Sequence, residues 1–250
     1  MVRKPVVRAR AFVLALAFAS GAATGALAAT FTVTTTADSG AGSLRQAILD
    51  ANGAAGADTI VFNIPGGGPY VITPLPPGLP AMLGPTIVDG TTQPGYAGTP
   101  IIEIANFSGS GLKLQGGSST IRGILVRGMN TGIAVESSDN HVEGCYVGTD
   151  LTGTVIAANG TGIEVQAAAN GNTIGGSLAG QSNLISGNST GIALINNADN
   201  IVQGNRIGTT ADGTGALGNQ AGILATLTTN LVVGGSGPGE GNVIAGSSGD

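Results

Sequence analysis

The sequence has no tryptophan, one cysteine and one histidine, and few charged residues. Only 3% of its 250 residues are aromatic and 9% are charged. The single cysteine, Cys145, cannot form an internal disulfide, and the single histidine, His141, cannot build a zinc site or a catalytic triad. No lysine of a phosphate-binding loop accompanies the glycines. A disulfide-stapled domain, a histidine-ligated zinc site and a nucleotide-binding loop are therefore excluded.

Glycine is what the sequence has in excess. There are 45 glycines, while 42% of the residues are hydrophobic and the mean hydropathy is +0.32. That apolar fraction is enough to build a core, so wholesale disorder is not expected. Many glycines in an apolar chain indicate a tightly turned, repetitive fold rather than a helical bundle.

The N-terminus has the three-part pattern of a secretory signal peptide. A basic stub precedes an uncharged apolar stretch at residues 11–19, and Ala26-Leu27-Ala28 follows as a small-x-small cleavage site. A membrane anchor is the alternative, but the apolar run is shorter than the roughly 20 residues that span a bilayer. We predict that residues 1–28 are a signal peptide cleaved near Ala28, and that the protein is secreted or displayed at the cell surface.

Removing the signal peptide makes the chain strongly acidic. Four of the nine basic residues lie in residues 1–28, which leaves five basic and fourteen acidic residues and a net charge of −9. An acidic chain repels nucleic-acid phosphates and anionic membranes. We therefore expect no nucleic-acid partner and no membrane span in the mature chain, and an extracellular polysaccharide or another surface component is the expected partner.

Two short motifs recur through the second half of the chain. Gly-Ile pairs begin at Gly132, Gly162, Gly191 and Gly222, at spacings of 30, 29 and 31 residues. An Asn-x-Ile/Val-x-Gly motif begins at Asn140, Asn172, Asn200 and Asn230, and residues 140–165 match residues 200–225 at a period of 60. Each unit of about 30 residues holds three short segments that alternate in polarity, which is the pattern of β-strands. Three strands per repeat predict an all-β fold, a parallel β-helix over residues 59–250.

The repeats also predict which residues stack on one another. Side chains that would form one inward column are Ile121, Val142, Ile174, Val202 and Val232. The four motif asparagines would stack as an amide ladder at a turn where asparagine tolerates left-handed backbone geometry. Arg122 and Glu143 would lie in one outward column and form an exposed ion pair.

Residues 29–58 are expected to cap the first coil. Residues 31–36 are predicted to form a strand, and residues 42–52 form the one good helix of the sequence. Ser43 and Gln46 are placed as a capping box, and one apolar face carries Leu44, Ala47, Ile48 and Ala51. Such a helix would cover the unpaired apolar end of a solenoid.

This segment resembles a known family. The run Gly42-Ser43-Leu44-Arg45-Gln46-Ala47-Ile48 looks like the CSLREAI segment at the start of exported bacterial β-helix proteins, although Gly42 replaces the cysteine and Gln46 the glutamate. Residues 89–96 resemble the early coils of such proteins, and the repeats from Ser118 onward resemble those of the pectate-lyase-like superfamily. The resemblance implies export and a right-handed parallel β-helix. It implies no activity, because this fold carries lyases, hydrolases, epimerases and non-catalytic surface proteins.

The candidate catalytic residues are few. A polysaccharide lyase needs a basic residue near clustered carboxylates, and Arg122 with Asp139 and Glu143 comes nearest to that. A glycoside hydrolase needs carboxylates that face one groove, but Glu143 is replaced by Gln203 one period later. Asp139 recurs as Asp199 before the ladder asparagine, which favours a turn residue that caps backbone amides.

Calcium is the one cofactor with candidate ligands. Asp150 and Asp212 lie in related Gly-Thr-x-x-x-Gly turns and could hold Ca²⁺, although plain Asx turns fit this pattern better. We therefore predict no required cofactor.

The sequence favours a non-catalytic exported β-helix that serves as a structural or adhesive element. The alternative is a carbohydrate-active lyase or hydrolase of the same fold. A calcium-stabilised module is a third hypothesis. Because the chain stops after a strand with no capping element, we also expect that further coils follow Asp250.

Overall fold

The computed structural model describes residues 27–247, so almost all of the predicted signal peptide lies outside the described residues. The fold is mostly β, and among the described residues one α-helix accompanies the strands. In chain order the elements are β1 (Thr30–Val33), α1 (Leu44–Gly53), β2 (Asp58–Phe62), β3 (Tyr70–Ile72), β4 (Thr86–Asp89), a single 3-10 turn (Gly90–Thr92), β5 (Ile102–Leu114), β6 (Thr120–Arg122), β7 (Ile124–Val135), β8 (His141–Glu143), β9 (Tyr146–Val147), β10 (Thr161–Val165), β11 (Thr173–Gly175), β12 (Leu184–Ile185), β13 (Thr190–Ile195), β14 (Ile201–Gln203), β15 (Arg206–Ile207), β16 (Ala221–Thr226), β17 (Val232–Val233) and β18 (Val243–Ile244).

The named strands pair in parallel and form two sheets within residues 27–247. The first sheet has the order β1-β2-β4-β6-β8-β11-β14-β17, and the second holds the remaining strands. The long strand β7 belongs to two walls of the second sheet, because its first half pairs with β9 and its second half with β10. A stretch of chain that supplies one strand to the first sheet and one to each of these two walls is called a rung below. The predicted three strands per repeat are confirmed.

The core is built from inward columns of aliphatic side chains. Ile121, Val142, Ile174 and Val202 pair in register on successive rungs and are fully buried, as predicted. The Gly-Ile repeat is also in register, with Ile133, Ile163, Ile192 and Ile223 stacked in one column. Burying these side chains stabilises the fold by roughly 1.5–3 kcal/mol for each one that is fully removed from water.

The predicted register is wrong in the last described rung. Val202 pairs with Val233, whereas Val232 pairs with Ile201 on the outer face. Asn230 therefore does not extend the asparagine ladder: it is exposed and donates to Asp199 Oδ1 at 2.9 Å. The reason is spacing, since Ile192 and Ile223 are 31 residues apart and the same offset continues into β17.

The remaining predicted asparagines do form a ladder. The Asn140 backbone N–H donates to Asn172 Oδ1 at 2.8 Å, and the Asn172 N–H donates to Asn200 Oδ1 at 2.8 Å. All three are buried. The left-handed backbone belongs to the residue before each of them, with φ of 61° at Asp139, 66° at Gly171 and 58° at Asp199.

Two further amide ladders in the described region were not predicted. Asn159, Asn188 and Asn219 form one, in which the Asn188 N–H donates to Asn219 Oδ1 at 2.9 Å. The other comprises Asn183, Asn205 and Asn242. Each amide oxygen accepts the backbone N–H of the rung before it, so the turns have satisfied buried donors.

The cap helix is close to its prediction. Ser43 is its N-cap and accepts the Gln46 N–H at 3.2 Å, but the Gln46 side chain donates to Asp50 instead of completing a capping box. The predicted apolar face is buried and packs against β1 and β2. Among residues 27–247 there is no helix of the length and apolarity that crossing a membrane requires.

Candidate functional site

Three charged side chains form a column on the first sheet. Asp89, Arg122 and Glu143 end β4, β6 and β8 and lie in register on successive rungs. We call these three the charged column. A guanidinium nitrogen of Arg122 lies 2.5 Å from Asp89 Oδ2, so the ion pair is with Asp89 and the predicted pair with Glu143 is wrong.

Glu143 is held by a different partner. Its Oε2 accepts a hydrogen bond from Gln181 Nε2 at 2.7 Å, and it is nearly buried rather than exposed as predicted. Arg122 Nε is buried and has no hydrogen-bond partner among the described residues. The column therefore has both carboxylates engaged and one donor unused.

The environment of Asp89 favours its ionised form. Burial opposes ionisation, but the hydrogen bonds from Arg122 and Thr91 outweigh it and lower the pKa of the Asp89 carboxyl below 3.8. Thr91 contributes its hydroxyl at 2.5 Å and its backbone N–H at 3.1 Å. The same ion pair raises the pKa of Arg122, which remains a cation.

Asp89→Asn is expected to remove an acid-sensitive part of the stability. A depressed carboxyl pKa contributes stability that is present above the ordinary value of 3.8 and is lost as pH falls through the lower folded value. Because Arg122 is 42% exposed, we expect a loss of only about 1–2 kcal/mol at pH 7. Urea unfolding at pH 7 and pH 2.5 measures it, and the difference from the unmodified chain should shrink at pH 2.5. Asp139→Asn, at an exposed turn, is the control, and an equal loss there would contradict the prediction.

Asp139 does not join the charged column. It is exposed, in a left-handed turn, and forms no ion pair with Arg122. Neither Asp139 nor Asp199 accepts a backbone N–H from a described residue through its carboxylate, so the expected amide caps are absent from this region. The three predicted catalytic candidates are thus divided between two places.

Asp150 and Asp212 each close a projecting loop. Asp150 Oδ1 accepts the backbone N–H groups of Thr154 and Val155, and these bonds with that of Thr152 outweigh burial and lower the pKa of Asp150. Hydrogen bonds from Thr210 and Thr214 lower the pKa of Asp212 to about 2. Within residues 27–247 no group of three or more acidic, histidine or cysteine side chains is arranged to hold a metal ion.

These two loops stack across an intervening rung. The Asp150 loop (residues 148–157) and the Asp212 loop (residues 208–217) are joined by the Ala211 N–H, which donates to the Gly153 carbonyl at 2.9 Å. Between them lies Leu184, which is only 2% exposed. The loops thus cover an outward side chain that would otherwise face water.

A hollow of about 200 Å³ lies beside these loops, and the sequence did not reveal it. Its lining includes Tyr146, Ser182, Leu184, Arg206 and glycines, with Tyr146 and Arg206 two rungs apart. Among the described residues Arg206 has no carboxylate within 4 Å and donates no side-chain hydrogen bond. The hollow therefore combines an aromatic ring with an unpaired cation.

The single cysteine, Cys145, and the single histidine, His141, lie within or beside strands of the fold and belong to no cluster of reactive side chains among the described residues. Burial raises the pKa of the Cys145 thiol to about 12, so it is not a thiolate nucleophile at neutral pH. His141 is half-buried on the outer face of β8 between Thr120 and Thr173.

Comparison with known proteins identifies no family for the chain and finds a distantly similar solved structure. No protein-family model matches the chain, and no curated protein matches it. One similar solved structure is the crystal structure of an alginate lyase from Paenibacillus sp. str. FPU-7, with 14% identity over 71% of this chain and 76% of that chain. The TM-score is 0.32, and at this level the likeness does not carry the activity of that enzyme over to this chain.

Proposed function

We propose that this chain is an exported protein of the CSLREAI type, a right-handed parallel β-helix that acts outside the cell as a structural or adhesive element. Parallel strands joined by a crossover are right-handed in about 98% of cases, which supports the handedness. The secretory pattern that ends at Ala28 supports export.

The observation that carries the non-catalytic role is the state of the charged column. Asp89 is bound by Arg122 and Thr91, and Glu143 is bound by Gln181. A general acid or base must be within hydrogen-bond reach of a substrate proton. Here both carboxylates are already bound by neighbouring protein side chains, as expected for groups with a structural role.

An adhesive role requires a contact surface. The hollow between Tyr146 and Arg206 supplies an aromatic face, a hydroxyl and a cation in a space of about 200 Å³. Small ligand sites commonly combine an apolar wall with a few polar groups. We expect this hollow to contact the extracellular polysaccharide or surface component that the protein binds.

The second candidate function is carbohydrate-active catalysis. Its support is the placement of one basic and two acidic side chains on three successive rungs, together with the 42% exposure of the Arg122 side chain. In that case Arg122 would be the group that meets the substrate.

Incubation of the purified exported protein with acidic and neutral polysaccharides tests the two functions. We expect no more new reducing ends than heat-treated protein releases. Sustained release that is lost in Arg122→Gln and kept in Lys113→Gln would overturn the non-catalytic role. Lys113 is the matched control because it is also a cation, and it lies on β5 away from the charged column.

A further inference from the structure

Asp58, the first residue of β2, is a buried carboxylate without a cation. It is 2% exposed, and its Oδ1 accepts the backbone N–H of Ala29 at 2.8 Å. No lysine or arginine nitrogen of the described residues lies within 4 Å of it. A buried carboxylate is costly unless a positive charge compensates it. A neutral peptide N–H supplies only part of that compensation.

Ala29 is also the residue that follows the small-x-small pattern Ala26-Leu27-Ala28. Leu27 is 87% exposed, Ala28 is exposed as well, and β1 begins only at Thr30. The Ala28–Ala29 bond therefore lies just before the first strand, next to two exposed residues. The nitrogen that cleavage would release is the one that already donates to Asp58.

The strand holds Ala29 in place independently of what precedes it. Its carbonyl accepts the Thr59 N–H at 2.8 Å, and Thr30 pairs in register with Thr59. Neither contact involves Leu27 or Ala28. The position of the Ala29 nitrogen against Asp58 should consequently survive cleavage.

We propose that hydrolysis of the Ala28–Ala29 bond creates an ion pair between the new α-ammonium group of Ala29 and the Asp58 carboxylate. A signal-peptide-cleaving protease of the host catalyses the addition of water across the peptide bond, which leaves a carboxylate on Ala28. The Ala29 amine takes up a proton at neutral pH. Charge-assisted hydrogen bonds are about twice as strong as neutral ones, so cleavage stabilises the first rung. This inference rests on the export part of the proposed function.

The pH dependence follows from the sign of the pKa change. A carboxylate partner raises the pKa of the α-ammonium above its ordinary value of about 8. The stability that the ion pair contributes is fully present below about pH 8, and it is lost as the pH rises through the raised pKa of the α-ammonium in the folded protein. Of the elements packed against β2, β1 has no titratable side chain, β4 has Asp89 bound to Arg122, and α1 has Arg45 and Asp50. These elements and the 3-10 turn, which also packs on β2, carry no histidine, cysteine, lysine or tyrosine, the side-chain types with ordinary pKa values nearest the range between pH 7 and 10.

The experiment compares Asp58→Asn with the exposed control Asp50→Asn in the full gene product after export. N-terminal sequencing of the unmodified protein should give Ala29 as the first residue. At pH 6.5 Asp58→Asn should lower the unfolding midpoint by roughly 4 °C, and at pH 10 the difference should fall below about 1 °C. Asp50→Asn should show no such pH dependence. In a precursor whose cleavage is blocked by Ala28→Phe, the effect of Asp58→Asn should be the same at both pH values.

The contradicting outcomes are separable. A first residue of Ala29 with an Asp58→Asn effect that does not change between pH 6.5 and 10 overturns the ion pair and leaves export standing. Cleavage at another residue also overturns it. An uncleaved chain retained inside the cell overturns the proposed export as well.

Discussion

Replacing Asn200 with alanine is expected to lower the free energy of unfolding by about 3 kcal/mol, while the same change at Asn230 costs under about 0.5 kcal/mol. Asn200 Oδ1 accepts both the backbone N–H and the side-chain amide of Asn172, at 2.8 and 3.1 Å. Its own amide donates to the Ala169 carbonyl and to Asn197 Oδ1. Alanine leaves the two Asn172 donors and the Ala169 carbonyl buried without those partners, and each such group costs about 1–3 kcal/mol, whereas Asn197 Oδ1 keeps the Thr228 hydroxyl.

Asn230 is the matched control because it has the same sequence motif and a different environment. It is exposed, and its amide donates to Asp199 at the surface. Urea unfolding followed by circular dichroism measures both variants, and hydrogen exchange of the Asn172 amide should quicken only in Asn200→Ala. Equal losses would contradict the register described here and return Asn230 to the ladder.

Gly191→Ala is expected to cost about 3 kcal/mol or more, or to prevent folding. A Cβ at Gly191 would lie 2.5 Å from the Gly222 carbonyl oxygen and 2.9 Å from Asn219 Nδ2. The first is backbone of the next rung, so relief would require neighbouring rungs to separate. The cost is steric, because Gly191 does not have a left-handed φ.

Gly67→Ala is the control for this second change. An added Cβ there meets no atom within 4 Å, and the backbone is outside the left-handed region. Alanine should leave the stability unchanged or raise it slightly by restricting the unfolded chain. Thermal unfolding of the two variants decides the matter, and equal stability would mean that the rungs are not in close contact at Gly191.

The sequence predicts well wherever the spacing between successive rungs varies by only a few residues. The Gly-Ile column and three members of the first asparagine ladder follow directly from spacings of 28 to 32 residues. The Asn159–Asn188–Asn219 ladder was also visible, since each member precedes its Gly-Ile glycine by three residues.

Prediction fails where loops of different length intervene. Cys145, Asn183, Asn205 and Asn242 occupy equivalent turns, yet successive spacings are 38, 22 and 37 residues. The Asp89–Arg122 pair spans 33 residues with a long loop between its strands, whereas Arg122 and Glu143 are 21 apart. Pairwise distances in such a chain are set by the backbone register, and the register cannot be counted across variable loops.

The two stacked loops give this part of the described chain a structural unit of two rungs rather than one. Because the Asp150 and Asp212 loops meet over Leu184, the rung between them carries an outward leucine and no corresponding loop at that position. Removing a single rung would bring two loops onto the same space or leave a leucine uncovered. Duplications or deletions in this part of the chain should therefore be tolerated better in pairs of rungs, which matches the 60-residue period that relates residues 140–165 to residues 200–225.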